Sequence, residues 1–107
     1  MRTAQTILTA AATAVCGERN DSYGAPSDDF GTQAAMISAY LTRSNGYPVV
    51  VTASDIAAMM ICVKLGRQSH AAKTDNWLDI AGYAACGAEC DEAAACRAEY
   101  DDEAATA

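Results

Sequence analysis

A single histidine, His70, sits in a Ser/Ala/Lys stretch. Neither a Ser-His-Asp nor a Cys-His arrangement can be built from it, which excludes nucleophilic catalysis of that type. The glycines form no Walker-type loop and no dinucleotide fingerprint, so the common phosphate cradles made of backbone amides are missing. Proline is confined to Pro26 and Pro48, leaving long segments free to form helix. Val49-Val50-Val51 is the only convincing strand-like run, and it is too short to found a sheet. Seven Lys+Arg stand against fourteen Asp+Glu and gather into no patch along the chain, which disfavours binding to duplex nucleic acid. No apolar run reaches membrane-spanning length, and Arg2 is followed by Ala and Thr with few large apolar residues, a poor signal-peptide core. A soluble, cytoplasmic protein is expected, with no membrane partner.

What the chain does have is alanine, which supplies much of its 51% apolar content alongside only 7% aromatic residues. Closely packed helices are the natural outcome at 107 residues, a length that supports one domain with one core. The five cysteines are odd in number and include no CxxC pair. Zinc is disfavoured, and buried thiols filling small gaps are expected instead. Charge is unevenly spread: from Glu89 onward seven acids face Arg97 alone, so nearly all of the net −7 belongs to the C-terminal end. The expectation is an all-α, four-helix bundle-like domain over 1–96, followed by an acidic tail at 97–107 that is solvated and frayed.

Four helices follow from the apolar spacing. The first runs from about Thr3 to Cys16 with Ile7, Leu8, Ala11 and Val15 on one face, ended by Gly17. The second starts with Ser27 as N-cap, carries Asp28 and Asp29 in its first turn, and stops at Ser44-Asn45-Gly46. The third starts at Thr52 or Ser54 and ends near Gln68; being apolar nearly all round, it is expected at the bundle centre. The fourth starts at Thr74 and continues through Tyr83 toward Cys96.

Candidate chemistry lies on the third and fourth helices. Lys64 and Arg67 are three apart and project from one side of an apolar helix. They must reach water, pair with carboxylates or hold an anion, and an arginine fork beside a lysine suits phosphate. Asp55, three residues after Thr52, can complete a capping box, and Asp75 fits the first turn of its helix. Asp79 lies a full turn inside that helix, where aspartate is a poor helix former. It either pairs with Lys64 or Arg67, or joins Asp75 in holding a divalent cation such as Mg²⁺, with Asp55 as a further candidate ligand. The loop at 17–26 offers Arg19 and Tyr23, a guanidinium and a ring where binding groups are often placed. Tyr23, Trp77 and Tyr83 are candidates either for stacking on a base or for the core.

Arg19 with Tyr23-Gly24, then Ser54-Asp55-Ile56-Ala57-Ala58-Met59-Met60 leading to Lys64 and Arg67, then Asp75-Asn76-Trp77-Leu78-Asp79-Ile80-Ala81-Gly82-Tyr83-Ala84, occur in this order. The set resembles an uncharacterised family of small phage and prophage proteins, and more distantly the all-α MazG-like nucleotide pyrophosphohydrolases. The resemblance implies host-cell cytoplasm and a nucleoside polyphosphate held against Mg²⁺ by helix-borne acids, with Asp75 and Asp79 matching the second acidic pair. The preceding glutamate pair of those enzymes is absent, since Glu18 is the only glutamate before Glu89. Three readings are carried forward. One is a Mg²⁺-dependent pyrophosphohydrolase using Asp55, Asp75 and Asp79. The second is a non-catalytic sponge for a nucleotide signal of antiphage defence, with Arg19, Lys64 and Arg67 on phosphates. The third is a structural or protein-interaction module. A domain this small would gain pocket depth as a homo-oligomer.

Overall fold

The computed structural model describes residues 3–17 and 22–106; among these, four long helices are α1 (Thr3–Cys16), α2 (Pro26–Asn45), α3 (Ala53–His70) and α4 (Thr74–Thr106). The fold is all-α, as the composition and spacing imply.

Helix α2 begins two residues earlier than Ser27 as N-cap would place it. Ala25, extended at φ −63 and ψ 146, is the N-cap and makes no side-chain cap bond, while Pro26 takes the first helical position. Proline there sacrifices no hydrogen bond, because the first amides of a helix are unpaired in any case. The Ala25 carbonyl accepts from the amides of both Asp28 and Asp29 at 3.0 Å. At the other end Gly46, at φ 77, donates its N–H to the Thr42 carbonyl in a left-handed cap.

The valine run then lies extended beside α2 without pairing as a strand. Thr42 Oγ1 accepts from Val49 N at 2.9 Å and donates to Val49 O at 3.1 Å. One turn earlier, Ser38 Oγ accepts from Val51 N at 2.8 Å and donates to Val51 O at 3.2 Å. Four helical residues rise about 6 Å and two extended residues span about 6.6 Å, so the two hydroxyls sit in register with alternate residues of the segment. They serve the backbone as a neighbouring strand would. Ser38→Ala combined with Thr42→Val is expected to destabilise the fold by about 1–3 kcal/mol through the orphaned backbone groups. Urea unfolding checks this, and an unchanged midpoint would show that water replaces the hydroxyls without cost.

Thr52 caps α3 in a reciprocal box: its Oγ1 accepts from Asp55 N at 3.2 Å, and Asp55 Oδ2 accepts from Thr52 N at 2.9 Å. The central helix is α4 and not α3, which corrects the expectation from hydropathy. Helix α4 packs against each of the other three, whereas α3 buries only Ile56 and Ala57 and leaves Met59, Val63 and Leu65 substantially exposed. Backbone access contributes. A Cβ on Gly87 would meet Cβ of Ala57 of α3 at 3.3 Å, tighter than an ordinary contact, while one on Gly82 would meet Val15 of α1 at an ordinary 3.5 Å. Small residues on α4 let two neighbours approach closely, and that works against overall hydropathy in setting which helix is enclosed.

Phe30, Ile56, Val51, Val15, Cys86 and Cys90 lie in the core, with the Phe30 and Tyr83 ring centroids 6.2 Å apart. Of the cysteines, Cys86 and Cys90 fill the core as expected, but Cys16, Cys62 and Cys96 are exposed. Helix α4 continues to Thr106, so the acidic residues of 97–107 form its last turns instead of a separate frayed tail. Ala93, Ala94, Ala95 and Ala98, all strong helix formers, carry it past the point where the apolar face ends. Among the described residues no helix is long and apolar enough to cross a membrane.

Candidate functional site: the cleft between α3 and α4

A three-residue turn, 71–73, reverses the chain between α3 and α4 and makes them antiparallel neighbours. Gln68 and Asn76 lock it. Gln68 Oε1 accepts from the Lys73 amide at 3.0 Å and from Asn76 Nδ2 at 2.9 Å, while Asn76 N donates to the Lys73 carbonyl at 3.1 Å. Asn76 is the buried polar residue of the described core, at 7% exposure. A buried amide with a partner holds geometry firmly, because breaking the bond would strand it away from water.

Beside this lock opens a cleft of about 660 Å³. Lys64, Arg67 and His70 reach it from α3, Lys73 from the turn, and Asp75 and Asp79 from α4. Three of the chain's seven Lys+Arg and its single histidine therefore converge on one concavity of a protein with net charge −7. Lys64 Nζ lies 2.9 Å from Asp79 Oδ2, with the lysine side chain 13% exposed and the aspartate 38%. This ion pair accounts for the aspartate inside α4: a largely enclosed ammonium needs a partner, and Asp79 is one turn from the helix start where it can supply one. Arg67 and Lys73 are exposed and form no ion pair among the described residues.

The remaining candidates are not gathered here. Asp55 is held in its capping box and lines a different hollow, with Gly87 and Asp91 near the far end of the α3–α4 pair. Antiparallel packing sets it roughly two turns of α3 away from Lys64 and leaves Asp75 and Asp79 as the only acids of the proposed triad at the cleft. Among the described residues no group of three or more His, Cys, Asp or Glu side chains could hold a metal ion, so the Asp55, Asp75, Asp79 set is not assembled for Mg²⁺. Trp77 is 49% exposed and is not a cleft-lining residue; two positions from Asp75 on a helix is nearly the opposite face. Tyr83 packs on Phe30 in the core. Tyr23 is exposed on the short stretch before α2 and does not line the cleft. Arg19 lies outside the described residues.

His70, Lys73, Gln68 and Asn76 were not singled out from sequence. The signal for the first was present, since Lys64, Arg67 and His70 repeat at intervals of three along α3. Lys73 belongs to no helix and acquires its place only through the turn.

Comparison with known proteins places the cleft within the matched part of the chain. Over 83 residues, 77% of this chain, it is 34% identical to the Gene 55 protein of Mycobacterium phage D29. The alignment covers 51% of that phage protein, so the chain spans about half the length of the relative it matches. No solved structure matches. The family model described as a domain of unknown function, DUF6378, matches residues 6–91, which take in all six charged residues of the cleft and leave out the acidic last turns of α4. The chain belongs to this uncharacterised family, one with a phage gene product among its relatives.

Proposed function

We propose that the α3–α4 cleft binds a phosphorylated small molecule of the nucleotide class. The observation that supports this is the convergence of Lys64, Arg67, Lys73 and His70 on one hollow of an otherwise acidic protein. Charge-assisted bonds from a guanidinium fork and an ammonium are suited to phosphate oxygens. Arg67 and Lys73 have no ion-pair partner among the described residues and are available to an incoming anion.

Binding without turnover is the favoured form of this reading, because Asp79 is engaged by Lys64 and Asp55 stands elsewhere. In a phage setting such a protein would act as a sponge for a nucleotide signal of host defence. Hydrolysis on the MazG-like pattern is the second reading, favoured by Asp75 and Asp79 lying one turn apart on the cleft wall.

The two readings predict opposite outcomes for Asp79→Asn. If the cleft only binds, the substitution frees Lys64 for the ligand, and affinity for ATP is expected to rise by about threefold to tenfold, a gain of one partly exposed charge contact. If the site hydrolyses, Asp79→Asn abolishes release of pyrophosphate. Calorimetry with and without Mg²⁺, alongside chromatography of the nucleotide, separates them. Failure of the unaltered protein to bind any nucleotide in either condition would remove the proposal.

A further inference from the structure

Building on the phosphate-binding reading of the cleft, we infer that this site recognises the polyphosphate chain of its ligand and does not read a base. Its chemical class is the linear di- or triphosphate, whether carried by a nucleoside or free.

The inference follows from what the cleft wall offers. Its polar groups are the cations Lys64, Arg67 and Lys73, His70, the acids Asp75 and Asp79, and Asn76. Asn76 is the one neutral amide on the wall that could pair with a base edge, and its amide nitrogen is already bonded to Gln68 Oε1, which also holds the Lys73 amide. Turning Asn76 toward a ligand would undo the turn that positions Lys73. The rest of the wall is Val63, Gly66 and Ala71, small or aliphatic surfaces, so the imidazole of His70, set among the cations, is the single ring on it. None of the three aromatic residues of α4 lines the cleft: Trp77 is turned away by its place on the helix, Tyr83 packs on Phe30, and Tyr100 lies near the C-terminal end of the helix.

The cations favour more than one phosphate. Arg67 lies on the last turn of α3 and Lys73 is the last residue of the turn at 71–73, just before α4. With Lys64 behind them on α3, a chain of phosphates can meet each in succession. Lys64 is already paired with Asp79, so Arg67 and Lys73 are the cations open to a ligand, and two linked phosphoryl groups can meet one each where a single group must reach both.

The test is a competition series on the full chain at one fixed salt concentration, because affinities of this kind depend on screening. ATP, GTP, CTP and UTP are expected to bind within about threefold of one another, with inorganic tripolyphosphate at least as tight, while AMP binds about tenfold or more weakly for want of charge contacts. Arg67→Ala and Lys73→Ala are expected to weaken all the triphosphates by a common factor. Arg43→Ala, which removes the same charge from the exposed end of α2, leaves them unchanged.

A preference of tenfold or more among the bases would overturn this inference while leaving the proposed function standing. So would AMP binding as tightly as ATP. Absence of binding by every nucleotide and by tripolyphosphate would overturn both.

Discussion

Phe30→Ala is expected to cost about 3–5 kcal/mol of stability, enough to leave a domain of this size largely unfolded or close to it. The core explains why one residue weighs so much. Among the described residues nine apolar ones are buried in the core; three are alanine, two are valine and two are cysteine, which leaves Phe30 and Ile56 as the large ones. Phe30 is 2% exposed and lies at the meeting of α2 with α4, where its ring packs against Tyr83. Removing it opens a cavity that a close-packed helical core closes only in part, even with Tyr83 and other larger side chains at its edge. Guanidinium or urea unfolding monitored by circular dichroism gives the measurement. Phe30→Leu should retain most of the stability, and a loss below about 1 kcal/mol for Phe30→Ala would show that the core is organised around other contacts.

Asn76→Leu ranks second, at about 1–3 kcal/mol, and it is expected to affect the cleft as well as the fold. Leucine matches asparagine roughly in size but leaves Gln68 Oε1 with the Lys73 amide as its remaining partner. The α3–α4 turn then loses one of the two side-chain bonds of its lock, and Gln68 holds Lys73 less firmly on the cleft rim. The expected result is a lower denaturation midpoint together with weaker binding of ATP. Asn76→Leu that is destabilised yet binds ATP as tightly as the unaltered protein would show that the lock serves folding alone. No change in either would mean that the buried amide is dispensable.

These two substitutions also mark where sequence reasoning stopped. The helix limits were largely legible, because Gly46, Thr52 with Asp55, and the 3.6-residue spacing of apolar side chains act locally. The Ser27 side chain suits a cap, but the preceding proline fixes the chain for the first helical turn and moves the cap to Ala25. The centre of the bundle was misplaced for a different reason. Hydropathy favours α3, with Met59, Met60, Ile61 and Val63 in succession, but enclosure also depends on how closely backbones approach. That favours α4 with Gly82 and Gly87. The hydroxyl register of Ser38 and Thr42 on the valine segment was beyond a reading by local pattern, because the partners lie up to thirteen residues apart.

For the candidate site, spacing put Lys64 and Arg67 on one side of α3 and marked Asp79 as an aspartate in need of a partner. Both are properties of single helices. Joining them required the short turn and antiparallel packing, which bring Asp79 to Lys64 and add His70 and Lys73 while setting Asp55 and Trp77 apart. By itself, then, the sequence determined the all-α class, most helix ends and the charged residues available for chemistry, because capping, propensity and periodicity act over a few residues. Only the tertiary structure decided which helix is central and which charges face one another. Those outcomes depend on the close approach of segments distant along the chain, set by small side chains and a locked turn that no local periodicity records.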